Sequence, residues 1–259
     1  MIYDLLKSYK EFLVHSLAQT TAETYYKKLC ILFEGQSISD TVRKLDIDMV
    51  LGKLGRVRHK SEFSKSKNAF LYFCEFQSIQ LPAEALERIK ELQKGTKKKH
   101  RSLKPIEYSE VDKKIKHIRD KRLKLSYQVI IATGLRVSEL ASISPNNCYV
   151  ADDEITFSFI ARGGANEVIS ITRASYPKLY PQVKILIEDI QKKQEKRLFY
   201  SVDYLQRKAK ALGFGCHDLR RVFATLEYKK CRSKTEVMKK MRHKSLKATN
   251  IYLRSKVKI

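Results

Sequence analysis

The stretch IIATGLRVSEL, residues 130–140, sets an arginine among residues that read as core. Ile130, Ile131 and Ala132 belong to a buried helical run that Gly134 ends, and Arg136 stands at the N-terminal edge of the next helix between Leu135 and Val137. A guanidinium flanked by core residues needs an anionic partner. Glu139, three residues on, is the internal candidate, and a bound anion is the external one. Two later stretches raise the same question. In CHDLRRVFATL (216–226), His217 and Arg220 are three residues apart and share a helical face, while Leu219, Val222, Phe223 and Leu226 take the other. In MRHKS (241–245), His243 lies between helical segments, and Tyr252 follows nine residues later. Taken alone, Ile251 and Tyr252 read as an apolar plug that seats a terminal helix.

Composition narrows what these groups can serve. The 259 residues carry 53 Lys+Arg against 28 Asp+Glu, a formal charge of +25 that favours polyanionic partners: DNA, RNA or an anionic membrane. No apolar run approaches the ~20 residues of a membrane span. The N-terminus MIYDLLKSYKEFLVHS alternates charged with apolar residues too closely for a signal peptide, so a soluble, cytoplasmic protein is expected. The five cysteines (Cys30, Cys74, Cys148, Cys216, Cys231) never fall at metal-finger spacing and read as reduced, mostly buried thiols. There is no GxxxxGK[ST], GxGxxG or HExxH, so no metal and no cofactor is expected, and chemistry must come from ordinary side chains.

Along the chain, the first ninety or so residues read as successive helices. Ile2, Leu5, Leu6, Tyr9, Phe12 and Leu13 keep a 3.6-residue stripe, and Thr20-Thr21-Ala22-Glu23 reads as a capping box for a second helix. A third helix starts at Asp46. SEFSKSKNAFLYFCEF carries Phe63, Phe70, Leu71, Phe73 and Cys74 on a fourth, and Pro82 opens a fifth with Leu86, Ile89 and Leu92 inward. KGTKKKHRSLKP (94–105) reads as a basic linker. Ser109-Glu110-Val111-Asp112 then starts a helix. In EITFSFIA, Ile155, Phe157 and Phe159 alternate with Thr156 and Ser158 before Gly163-Gly164 turns the chain into EVISI, a hairpin signature. Helices resume from about Ser175. The expected fold class is mainly α, a helical bundle followed by an α+β domain with a small antiparallel sheet.

Two arginines, two histidines and a tyrosine on a strongly basic chain suit phosphodiester chemistry. Arginines clamp non-bridging oxygens and stabilise charge developing at phosphorus. Tyrosine, with an ordinary pKa of about 10, is a nucleophile once a base such as histidine takes its proton.

In order and spacing, TGLRVSEL, HDLRR, and MRHKS followed nine residues later by a tyrosine resemble the motifs of the tyrosine recombinases, the phage-integrase and Xer-like family. The resemblance spans essentially the whole chain. It implies a core-binding domain over 1–93, a linker over 94–105 and a catalytic domain over 106–259. Arg136 and Arg220 would bind the scissile phosphate, His217 would handle the tyrosine proton, His243 would hydrogen-bond a phosphate oxygen, and Glu139 would support the arginines and histidines. Tyr252 would attack phosphorus, forming a 3′-phosphotyrosyl link and freeing a 5′-hydroxyl that a second strand can replace, with no metal or ATP. The resemblance implies double-stranded DNA as partner, with dimers to tetramers assembling on synapsis, and a nucleoid-associated place in a prokaryotic or viral setting, as for a mobile element. Lys65, Lys67 and Asn68 in the bundle and Lys97, Lys98, Lys99 and Arg101 in the linker are the candidate DNA contacts.

Two departures stand out. The family's hairpin lysine, the acid for the leaving 5′-oxygen, aligns with Arg162 in FIARGGANEVISI, and no lysine occurs between Lys124 and Lys178. A guanidinium gives up a proton poorly, so three alternatives stand: an active enzyme that stabilises the leaving oxygen by charge, an attenuated DNA-binding protein of this fold, and a deliberate Lys-to-Arg change. A type IB topoisomerase uses a similar residue set. The end LRSKVKI is too short for much of a helix but can add a strand, in cis or in trans.

Overall fold

The computed structural model describes residues 2–34, 46–97, 105–161, 164–253 and 257–258. The chain divides into two compact units, Met1–Arg101 and Ser102–Ile259. Among the described residues no helix is long and apolar enough to cross a membrane.

The first unit comprises α1 (Ile2–Ser16), α2 (Gln19–Phe33), α3 (Ile47–Gly55), α4 (Lys60–Phe76) and α5 (Ala83–Gly95). Its core is aromatic: Tyr9, Phe33, Phe63, Phe70 and Phe73 are buried with Leu13, Leu29 and Leu54. Phe33 meets Phe73 edge-on at 4.8 Å, and the Tyr9 hydroxyl donates to the Ala69 carbonyl at 2.7 Å. Asp46 caps α3 by accepting from the Met49 N–H at 2.9 Å. Three expectations need correction. The Thr20–Glu23 box does not form, because α2 starts at Gln19 behind Ala18, and Thr20 and Glu23 lie inside the helix. Leu86 is exposed at 41%, with Ala85 and Ile89 covering the core instead. Helix α5 runs on through Gly95 into the expected linker, and Lys97 then pairs with the chain beside His59.

The second unit opens with β1 (Ile106–Glu107), α6 (Tyr108–Lys116), α7 (Lys121–Thr133) and α8 (Val137–Ser142). A three-stranded antiparallel sheet follows from β2 (Cys148–Val150), β3 (Glu154–Ile160) and β4 (Asn166–Thr172), in that order. The predicted alternation holds in β3, where Ile155, Phe157 and Phe159 are buried and Ser158 and Ile160 are exposed. Phe157 faces Ile169, and Ile160 faces Asn166. The unit closes with α9 (Leu179–Lys192), α10 (Val202–Ala211), α11 (Cys216–Cys231), α12 (Lys234–Lys240), α13 (Leu246–Leu253) and β5 (Val257–Lys258). Helix α9 starts four residues after Ser175, beyond a turn. Strand β5 pairs in parallel with β1 of the same chain, Ile106 opposite Val257. The fold class is therefore mainly α with a small antiparallel sheet.

Two packing features position the candidate residues. Helix α11 lies against α7, with the Phe223 ring over Gly134, and Phe223, Ala224, Val237 and Met241 form a small cluster on which Tyr252 and Leu253 of α13 rest. Ile251 does not plug the core, being 55% exposed. All five cysteines are free thiols; Cys74 and Cys216 are buried and the other three half-buried.

Candidate active site

The first element is the turn between α7 and α8. Gly134 takes a left-handed conformation, φ 65°, and donates its N–H to the Ile130 carbonyl at 2.8 Å, ending α7. This lets Arg136 cap α8. Glu139, in the first turn of that helix, accepts from the Arg136 backbone N–H at 2.8 Å and from Arg136 Nη1 at 2.5 Å. Its side chain is 2% exposed. Burial alone would raise its pKa, but the Arg136 hydrogen bonds and the Arg136 and Arg242 charges outweigh that and lower it. Glu139 is ionised, and it is the internal partner the sequence offered for Arg136.

Arg220, on α11, is 1% exposed. Its Nη1 donates to the Gly134 carbonyl, and its Nη2 donates to the Met241 carbonyl at 2.9 Å. Nη2 also lies 3.2 Å from His243 Nε2, and Glu139 Oε2 is 4.0 Å from Nη1. The Nε of Arg220 is buried and makes no hydrogen bond among the described residues. Burial first, then the Arg136 charge, pulls this guanidinium down to about 10, so it is still cationic at neutral pH.

His243 is pulled down to about 4 by burial and by the Arg220, Arg136 and Arg242 charges, and is therefore neutral at pH 7. Because a guanidinium only donates, Nε2 is the acceptor. Nδ1 then carries the hydrogen and donates to Thr249 Oγ1 at 3.0 Å. The Tyr252 ring stands 5.1 Å from the His243 ring and 5.9 Å from Arg220 Cζ. His217, an exposed side chain in the first turn of α11, has its pKa lowered by partial burial, then by the Arg220 and Arg136 charges, against the contrary pull of Asp218. Arg136, Glu139, Arg220, His217, His243 and Tyr252 thus belong to one neighbourhood of the second unit.

Sequence reasoning missed a further member. Arg242, next to His243, places Nη2 3.2 Å from Glu139 Oε2 and Nε 3.1 Å from Glu167 Oε2 on β4. Its guanidinium lies over the Phe159 ring at 5.3 Å. In a chain with 53 Lys+Arg, one more basic residue carries no signal of its own. A usable signal was positional, since Arg242 follows the last turn of α12, where a left-handed residue is expected. Arg136, Arg242, His243, Lys239 and Lys244 line an open pocket of about 440 Å³ beside Glu167. With three guanidinium groups against two carboxylates, that neighbourhood suits an anion.

Arg162, Lys98, Lys99 and Arg101 lie outside the described residues. In the first unit Lys65 is exposed and pairs with Glu62 at 2.8 Å. Lys67 reaches Gln93 at 3.3 Å and Asn68 reaches the Tyr25 hydroxyl at 3.1 Å, both within the bundle. Lys97 is exposed.

No protein-family model matches the sequence, and no curated protein does. Solved structures do. The XerH site-specific recombinase bound to difH substrate in a pre-cleavage complex superposes with a TM-score of 0.60 at 16% identity, over 93% of this chain and 78% of that one. A lambda integrase dimer bound to a COC′ core site gives 0.58 at 16% identity, over 96% and 94%. The Tn1549 transposon integrase in complex with transposon right end DNA gives 0.60 at 13% identity, over 96% and 94%. At these identities the likeness is one of fold, and the chain has the fold of the tyrosine recombinases.

Proposed function

We propose that this chain is a site-specific DNA recombinase that cleaves and rejoins duplex DNA through a tyrosyl phosphodiester. The observation that carries the reading is the meeting of Arg220 and His243 beside the Tyr252 ring, with Arg136 tied to the same centre through Glu139. A phosphodiester entering the adjoining pocket would meet the field of these fixed cations.

In the proposed step the Tyr252 oxygen attacks phosphorus while His217 accepts its proton. The P–O5′ bond breaks, the 3′ end becomes a phosphotyrosyl ester, and the departing 5′-oxygen takes a proton from water or from a neighbouring cationic group. Arriving phosphate charge offsets the arginine field that keeps His243 neutral, so its pKa rises and a protonated ring can donate to a phosphate oxygen. Attack by a second strand's 5′-hydroxyl reverses the sequence, and tyrosine recovers its proton. The helical unit, with Lys65, Lys67 and Asn68, would serve as the core-binding domain, and the segment from Lys97 to Arg101 would track the phosphate backbone. DNA-bound dimers and tetramers among the similar structures support assembly of two to four protomers on DNA.

The test is trapping on nicked suicide duplexes made from DNA flanking the gene. Wild type is expected to give a protein–DNA adduct on a denaturing gel, and Tyr252→Phe none. An adduct that persists in Tyr252→Phe rejects Tyr252 as nucleophile. Binding without an adduct favours a non-catalytic DNA-binding protein, and relaxation of supercoils without synapsis favours a topoisomerase.

A further inference from the structure

The end of α12 closes with two backbone hydrogen bonds. The His243 N–H donates to the Met238 carbonyl at 3.0 Å, and the Arg242 N–H to the Lys239 carbonyl at 2.9 Å. This closure puts the residue after the helix in the left-handed region, and Arg242 sits there with φ 54°. Glycine takes that conformation without a Cβ penalty, and arginine does not. Ser78, Gln194 and Arg232 share the conformation. Arg242 differs from them in what its side chain reaches.

That side chain is 13% exposed and spans two carboxylates from different parts of the unit. One is Glu139, which also holds Arg136; the other is Glu167 on β4, facing Phe159 across the β3–β4 ladder. The contact to Glu139 is an aligned hydrogen bond at 3.2 Å. The contact to Glu167 is an ion pair at 3.1 Å whose atoms are not aligned for a hydrogen bond. Stacking over Phe159 adds an attachment to the other strand of the same hairpin. A lysine has the charge but lacks the planar fork needed to hold both carboxylates.

We infer that Arg242 is a positioning residue, a latch that holds the β3–β4 hairpin against the Arg136–Glu139 centre. It acts on the reaction through Glu139, whose carboxylate it shares with Arg136, and through the hairpin, which borders the pocket at Ala161, Ala165 and Glu167. The catalytic half of this inference rests on the recombinase reading; the structural half does not.

Arg242→Gly is the informative variant, because glycine suits the left-handed backbone and unchanged exchange at the α7 and α11 amides separates a local release from unfolding. Hydrogen exchange of the free, full-length protein reads the latch directly. Amides of Glu154–Thr172 should exchange about tenfold faster, with the α7 and α11 amides unchanged. Glu167→Gln should do the same, and the double variant should add nothing to either. In trapping assays Arg242→Gly should slow adduct formation about tenfold at saturating DNA, where any loss of affinity no longer limits the rate, and Arg242→Lys should recover part of it. Unchanged exchange overturns the latch whatever the enzyme does. Faster exchange with undiminished cleavage overturns the positioning role. Faster exchange with no adduct from wild type leaves the latch standing and rejects the recombinase reading.

Discussion

Replacing Gly134 by alanine tests how the two arginines are held. The substitution acts twice. A residue with a Cβ at φ 65° costs about 1–2 kcal/mol. The new methyl would also stand 2.5 Å from Phe223 Cε1, and closer still to Cδ1, and that ring is buried. Overpacking of this kind costs about 1–3 kcal/mol. The sum is about 2–5 kcal/mol, which lowers Tm by roughly 4–20 °C at about 2–4 °C per kcal/mol. Function should suffer beyond stability, because the Gly134 carbonyl accepts from Arg220 and its turn aims Arg136. Gly52→Ala is the control: a Cβ there meets nothing within 4 Å in the interior of α3, and the change should be neutral or stabilise by up to about 1 kcal/mol. Thermal denaturation of the two variants, followed by trapping below both transitions, measures each effect. A Gly134→Ala protein that melts within 2 °C of wild type, or two glycines that respond alike, would refute the account of this turn.

Stability should also depend on pH through His243. Its folded pKa of about 4 lies below the ordinary 6.5, so the folded state binds fewer protons between those values; its contribution is intact above about pH 6.5 and falls with acidification toward pH 4. After allowance for its partial exposure the loss is about 1–3 kcal/mol, and urea titrations of His243→Gln should show a flatter profile over that window. Arg162→Lys is expected to raise the cleavage rate, since an ammonium yields a proton to the leaving oxygen more readily than a guanidinium; single-turnover trapping that shows a fall of about tenfold or more would identify arginine as the adapted residue.

Much of the architecture was legible because it is written in short-range periods. The 3.6-residue stripes of Tyr9 and Leu13, and of Phe63, Phe70 and Phe73, need only an apolar face that must be covered. The alternation of Ile155, Phe157 and Phe159 needs only a sheet with one buried side. Errors fell where propensity and packing competed. Thr20 and Glu23 make a good capping box in isolation, but α2 starts earlier and takes them inside. Leu86 fits the stripe of α5 on paper, while the smaller Ala85 faces the core. The tail adds the strand its length allowed, in cis, but the β1 dipeptide it pairs with lies 151 residues earlier and is too short to carry a period of its own (257 − 106 = 151).

For the candidate site the division is similar. The linear order of residues already set which residue types are present and which pairs one helical turn brings together, Arg136 with Glu139 and His217 with Arg220, because spacing along a helix is a local quantity. It also set the order of motifs that resembles the recombinases. Folding alone brings Glu139 to Arg242 as well, 103 residues away, joins Glu167 of the hairpin to them, and sets the arginine field that keeps His243 neutral. Charge interactions depend on distance and on the water excluded between the groups, and neither quantity exists until the chain has folded.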